Sequence, residues 1–118
     1  MMSSEVFNEV AFFNHLGGDR DLGAEILEVY LIDAPDRLSS LSKAVENNEQ
    51  NLVIKYSHAL KGISATIRAE KIARISEIIE LAARQGDFEK VRDCFPDIVN
   101  ELEKTLKLLK EYLSVHKN

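Results

Sequence analysis

The stretch YSHALKGISA, residues 56–65, decides the fold predicted for this chain. In a helix, which turns by about 100° per residue, the apolar residues in and around this stretch fall on one side. That stripe consists of Leu52, Val53, Tyr56, Leu60, Ile63 and Ile67. His58 falls almost opposite the stripe. The stretch is therefore predicted to be an amphipathic helix that packs on a core and presents His58 to solvent.

Two residues beside His58 indicate a chemical role for it. Lys61 and Gly62 follow His58 by three and four residues, so both are its neighbours on the helix surface. A glycine inside a helix costs roughly 1 kcal/mol relative to alanine, and its missing side chain leaves room beside the imidazole. The ammonium of Lys61 suits an anion, and Lys55, one turn before His58, is placed to help in the same way. This arrangement is typical of a histidine that carries a phosphoryl group.

Apolar residues recur at helical spacing on both sides of the central stretch. The predicted helices cover residues 5–16, 19–47, 51–67, 70–85 and 87–114. Four long amphipathic helices with short links are typical of an antiparallel bundle. The chain is therefore predicted to be all-α, an up-down four-helix bundle with the short N-terminal helix capping one end.

Glycine, aspartate and proline mark the expected ends of these helices. Gly17 and Gly86 are predicted to end helices, because glycine readily takes the left-handed conformation at a helix terminus. Asp19 is a predicted N-cap, as is the aspartate after Gly86. Pro35 is predicted to kink the helix over residues 19–47 without breaking it, because the helical spacing of apolar residues continues on both sides of the proline. Pro96 is predicted either to kink the last helix or to mark a restart.

Composition limits the classes of function. The 118 residues form one predicted domain, 1–118, with 45% hydrophobic and 30% charged residues. A net charge of −5 argues against a nucleic-acid binder, and no run approaches the roughly 20 apolar residues of a membrane span. The lone Cys94 has no internal disulfide partner. Because the first residues lack a signal-peptide pattern, the expected protein is cytoplasmic, and a monomer is expected of a single capped bundle.

Four segments, in order along the chain, resemble a known family. The central one, HALKGIS at residues 58–64, resembles the signature of histidine-containing phosphotransfer (HPt) domains. The others are LGGD at residues 16–19 followed by Leu22, Pro35 with Leu38 and Leu41, and Glu80 followed by AARQGD at residues 82–87. Four such motifs in the family's order are quite specific.

The resemblance implies a phosphocarrier without enzymatic turnover of its own. His58 would accept a phosphoryl group from the aspartate of a response-regulator receiver domain, or from a sensor histidine kinase, and pass it to another receiver. The resemblance implies no cofactor on this chain, because Mg²⁺ would belong to the acidic pocket of the receiver. One position departs from the family pattern: Arg68 stands where a glycine is usual, ten residues after the histidine. Arg68 must therefore take another cap geometry or some strain.

Glu80 is predicted to orient the imidazole. His58 lies eleven residues before Ala69, at the corner between two helices, and Glu80 lies eleven residues after it. Antiparallel helices with the same rise bring the two residues to the same height. A carboxylate that accepts from Nδ1–H would fix the tautomer and leave Nε2 as the nucleophile. The alternative is an ordinary surface pair between Glu80 and Arg84 at i+4.

A partner surface is predicted around His58. Ile54 lies one turn before it, off the core stripe, and an exposed isoleucine there indicates docking. Ala65 is assigned to the same surface. Phe12 and Phe13 are predicted either to extend this docking patch or to cover it from the N-terminal helix. A local basic strip on the acidic chain could steer an acidic partner, and it comprises Lys55, Lys61, Arg68, Lys71 and Arg74.

Two other functions compete with the phosphocarrier. The first is a helical interaction module that binds a receiver or another signalling partner without phosphorylation of His58. The second is a metal-dependent bundle enzyme, which needs Glu-x-x-His pairs on facing helices. Lys55, not a glutamate, stands three residues before His58, and Phe12 stands three before His15. The sequence therefore predicts no metal site.

Overall fold

The computed structural model describes residues 5–116, without the side chain of His116. Five α-helices lie in this part of the chain. They are α1 (Glu9–His15), α2 (Arg20–Glu46), α3 (Gln50–Thr66), α4 (Glu70–Arg84) and α5 (Phe88–His116). The all-α prediction is confirmed. The ends of the predicted domain, residues 1–4 and 117–118, lie outside the described residues.

The four long helices form an antiparallel bundle. Each packs against the next in sequence, and α2 also packs against α5, while α1 lies on α2. The bundle measures 45 × 20 × 19 Å. Its core consists of fully buried aliphatic side chains from all four long helices: Leu27, Leu41, Val53, Leu60, Ile72, Ile79, Ile98 and Leu109. The face of α3 that carries Leu60 is thus buried, which leaves the opposite face for His58.

The α3–α4 corner ends α3 with a non-glycine residue in the left-handed conformation. Arg68 has φ +64°, the N–H of Ala69 donates to the carbonyl of Ser64 at 2.9 Å, and the N–H of Arg68 donates to that of Ala65 at 3.0 Å. This is the same hydrogen-bond pattern that glycine provides at Gly86, after α4. The strain predicted at Arg68 is therefore present, and the corner keeps its shape.

The first helix starts four residues later than predicted, at Glu9 instead of residue 5. Asn8 is its N-cap, and the side chain of Asn8 accepts from the N–H of Ala11 at 3.1 Å. The residues before it cross the α3–α4 corner instead. The N–H of Asn8 donates to the carbonyl of Arg68, and the N–H of Lys71 donates to the carbonyl of Glu5. These long-range backbone bonds replace the helical turn that the apolar spacing predicts.

Both prolines lie inside continuous helices. Pro35 lies within α2, which confirms the predicted single helix, and Pro96 lies within α5. Of the two alternatives predicted at Pro96, a kink or a restart, the restart is wrong. Pro96 is exposed, and the apolar stripe of α5 continues past it to the buried Ile98 and Leu102, which keeps the helix packed on the core. Among the described helices, none combines the length and apolar character needed to cross a membrane.

The two phenylalanines of α1 are buried. Phe12 and Phe13 expose 1% and 7% of their surface, and their rings lie edge to face at 5.0 Å. The ring of Phe13 also lies 5.8 Å from that of Tyr112. Of the two alternatives predicted for these residues, the exposed docking patch is wrong, because α1 packs both rings against the bundle.

Candidate functional site

His58 lies on the solvent-facing side of α3. Its side chain is 63% exposed. The flanking residues are held inward: Leu60 is fully buried, and the hydroxyl of Ser57 is buried and donates to the carbonyl of Val53 at 2.6 Å. The imidazole is therefore presented on a fixed backbone to anything that approaches this face.

Glu80 of α4 lies directly beside the imidazole. Its two carboxylate oxygens are each 3.2 Å from Nδ1 of His58. The side chain of Glu80 is only 5% exposed. The predicted contact between these residues is present, because the Arg68 corner preserves the equal heights that counting residues on two antiparallel helices gives.

This contact fixes the tautomer of His58. An ionised carboxylate accepts hydrogen bonds and cannot donate one, so Nδ1 must carry the proton that it shares with Glu80. In the neutral imidazole the lone pair is then on Nε2, on a side chain that is largely exposed. The arrangement is that of an activated nucleophile, in which the carboxylate of Glu80 orients the imidazole of His58 for attack.

Two cations neutralise Glu80. Nζ of Lys61 lies 2.9 Å from Oε1, and Nη2 of Arg84 lies 2.8 Å from Oε2. Nε of Arg84 donates to the same Oε2 at 3.1 Å. The contact with His58 and the i+4 pair with Arg84 are alternatives in the sequence, but the structure contains both. Arg84 is absent from the site predicted from the sequence, although its i+4 spacing from Glu80 is the signal that places it there.

The pKa of Glu80 depends on two opposing effects, burial of the carboxyl and the hydrogen bonds that it accepts. Burial alone would raise the pKa of the carboxyl, because it disfavours the charged form. Hydrogen bonds from Lys61, Arg84 and His58 together outweigh burial and lower the pKa to about 2. Glu80 is therefore ionised throughout the neutral pH range, which is the state that the Nδ1–H tautomer of His58 requires.

The remaining predicted site residues differ in their surroundings. Gly62 is exposed, and a Cβ added there would meet no atom within 4 Å, so the fold does not itself demand glycine. Lys55 is exposed, and its Nζ lies 5.5 Å above the ring of Tyr56. The structure therefore places Lys55 on the aromatic ring next to the site, whereas Lys61 is in the site itself.

The predicted partner residues are only partly on the surface. Ala65 is exposed on the same face of α3 as His58. Ile54 is half-buried and packs against the core, so the prediction of an exposed isoleucine is wrong. The helical wheel of α3 alone does not include the packing of this side chain on the rest of the bundle. Within residues 5–116, no group of three or more His, Cys, Asp or Glu side chains is placed to hold a metal ion.

Comparison with known proteins gives one family and several relatives. The family model described as "Hpt domain" matches residues 25–112. The phosphorelay intermediate protein rdeA of Dictyostelium discoideum is 24% identical over 106 residues, which are 90% of this chain and 42% of that protein. This chain thus spans less than half the length of the curated relative.

Two solved structures share the fold. The HPT domain of a sensor hybrid histidine kinase from Shewanella is 23% identical, with a TM-score of 0.87 over 97% of this chain and 98% of that domain. Histidine-containing phosphotransfer protein B from Pseudomonas aeruginosa is 19% identical, with a TM-score of 0.90 over 98% of this chain and all of that one. At these identities the likeness concerns the fold alone.

Proposed function

This chain belongs to the Hpt domain family, whose role is histidine phosphotransfer in a phosphorelay, and we propose that His58 is the residue that carries the phosphoryl group. One observation supports this assignment above the others. The exposed imidazole has its Nδ1 against a buried, ionised glutamate, which leaves Nε2 as a nucleophile facing solvent.

The transfer step follows from this geometry. The Nε2 lone pair of His58 attacks the phosphorus of an aspartyl phosphate, the P–O bond to the aspartate breaks, and its electrons stay on the aspartate carboxylate. Nδ1 keeps its proton, so the ring gains positive charge as the N–P bond forms. Glu80 stabilises that charge from 3.2 Å. Running the same step backwards passes the phosphoryl group to the next aspartate.

Lys61 is proposed to stabilise the phosphoryl oxygens. In the structure its Nζ is held by Glu80, one helical turn from His58, and its side chain is 29% exposed. A flexible ammonium in that position can turn toward an incoming anion, and phosphoryl transfer depends on such positioning and charge neutralisation. Lys55 is proposed to help to stabilise the phosphoryl oxygens, since it is exposed beside the site.

The proposed partners are receiver domains and a histidine kinase. The protein itself is proposed to act as a carrier in the cytoplasm, without a cofactor and without catalytic turnover of its own, while Mg²⁺ is bound by the receiver. Gly62 and Ala65 extend the accessible surface of α3 beyond His58, which leaves space for a docked domain. We expect a monomer, because the four long helices enclose a fully buried core within one bundle.

The experiment that tests this proposal uses a panel of purified receiver domains phosphorylated with acetyl phosphate in Mg²⁺. The protein should acquire a phosphoryl group that is stable to base and labile to acid, as an N–P bond is and an acyl phosphate is not. His58→Gln should abolish the label. His15→Gln is the matched control, because His15 is an exposed histidine at the end of α1. Label retained by His58→Gln would overturn the assignment.

A further inference from the structure

The carboxylate of Glu80 is held by two cations that use different oxygens. Lys61 contacts Oε1, whereas Arg84 brings Nε and Nη2 to Oε2. Nδ1 of His58 lies 3.2 Å from each oxygen, so the position of the imidazole depends on both ends of the carboxylate. Arg84 and the imidazole of His58 therefore both contact Oε2 of Glu80.

The two cations differ in what they can do. Lys61 belongs to α3, one turn from His58, and ends in a compact ammonium on a flexible chain. Arg84 belongs to the last turn of α4, where a cation also suits the helix dipole. Its planar fork makes two hydrogen bonds to one oxygen. Lys61 can change partner easily, whereas Arg84 would lose both bonds at once.

Phosphorylation of His58 changes which negatively charged groups Lys61 and Arg84 neutralise. A phosphoryl group on Nε2 brings roughly two negative charges close to Lys61 and Glu80. Those charges attract the ammonium of Lys61, while the ring, which has become cationic, still needs an ionised carboxylate at Nδ1. A carboxylate that is 5% exposed is costly to keep ionised without a paired cation. Once Lys61 turns to the phosphoryl oxygens, Arg84 is the cation that remains on Glu80.

We propose that Arg84 is a positioning residue, an anchor that keeps Glu80 ionised and aligned on Nδ1 of His58 while Lys61 exchanges between Glu80 and the phosphoryl group. This inference rests on the proposed phosphorylation of His58. The two ion pairs of Glu80 then have different roles. The pair with Lys61 opens when His58 is phosphorylated, whereas the pair with Arg84 persists.

The test compares Arg84→Met with Arg84→Lys and with Arg92→Met. Arg92 is the matched control, because it is an exposed arginine that donates to Asn48, at the α2–α3 turn. The phosphodonor is phosphoramidate, a small molecule that needs no docking surface, so lost attraction to a partner cannot explain a slower rate. The two readouts are the rate of His58 phosphorylation and the tautomer of His58 by ¹⁵N NMR, with thermal unfolding as a check of folding.

Arg84→Met should reduce the population of the Nδ1–H tautomer and slow phosphorylation by about tenfold, less than the roughly hundredfold that a 1 Å misplacement can cost. Arg84→Lys should recover most of the rate, and Arg92→Met should match the wild type. An unchanged tautomer in Arg84→Met would overturn the inference, whether or not the rate falls. If the wild type takes no phosphoryl group, the proposed function fails instead, while the tautomer still reports whether Arg84 acts through Glu80.

Discussion

Replacing Glu80 by glutamine should remove a pH-dependent part of the stability of this protein. The folded chain holds the pKa of Glu80 at about 2, against an ordinary value of 4.5. The carboxylate is buried and contacts His58, Lys61 and Arg84, whereas in the unfolded chain it is in water. The glutamine variant keeps the size of the side chain and an acceptor for Nδ1–H, but it cannot titrate.

The direction and size of the effect follow from linkage. Between the two pKa values the unfolded chain binds a proton at Glu80 and the folded chain does not, so acid favours unfolding in this range. The difference between 4.5 and about 2, at 1.36 kcal/mol per pH unit, gives roughly 3 kcal/mol. This contribution should be fully present above about pH 5 and lost progressively as the pH falls toward 2.

The assay is urea unfolding of wild type, Glu80→Gln and Glu77→Gln at several pH values between 7 and 2.5. Glu77 is an exposed carboxylate on the same helix, so its variant reports the loss of one charge without the loss of the buried contacts. The free-energy gap between wild type and Glu80→Gln should shrink steadily below pH 5, with unchanged m-values. A gap that stays constant from pH 7 to pH 2.5 would refute the reasoning, because Glu80 would then titrate alike in both states.

Four further substitutions, at three positions, test the fold and the access to His58. Arg68→Gly should stabilise the protein by about 0.5–1 kcal/mol in thermal unfolding, because relief of the φ +64° strain exceeds the added chain entropy; an unchanged or lower Tm would contradict this. Gly62→Ala should also stabilise, by up to about 1 kcal/mol, since the added Cβ meets open space. A bulkier Gly62→Leu should still react with phosphoramidate but lose transfer from receivers, and equal loss from both donors would argue against a docking role for the open space. Gly23→Ala should destabilise by about 1–3 kcal/mol in urea unfolding, because its Cβ would overlap the buried ring of Phe13; wild-type stability would show that the ring moves freely.

Local sequence signals predicted most of the fold. The apolar spacing located all four long helices to within two residues at each end. Asp19 caps α2 as predicted, since its side chain accepts from the N–H of Leu22. Counting residues from Ala69, at the α3–α4 corner, was enough to predict that His58 and Glu80 lie at the same height, because the rise per residue of a helix is constant.

The predictions that the structure contradicts involve contacts between parts of the chain that are distant in sequence. The late start of α1 results from the bond between Asn8 and Arg68, which no local pattern encodes. Ile54 is half-buried because it packs against the core of the bundle, and the wheel of a single helix cannot represent such packing. The role of Arg84 does not follow from the sequence, in which its i+4 pair with Glu80 and the contact of Glu80 with His58 are alternatives, whereas in the structure the two oxygens of the carboxylate accept both.

The most direct test of the account is to identify which nitrogen of His58 becomes phosphorylated. Protein labelled with ¹⁵N in its imidazole rings would be treated with phosphoramidate and examined by ³¹P and ¹⁵N NMR, with His58→Gln beside it. The account predicts a single phosphohistidine with the phosphorus on Nε2 of His58 and the proton retained on Nδ1. A phosphoryl group on Nδ1, or one that persists in His58→Gln, would contradict the role assigned to Glu80 and the site itself.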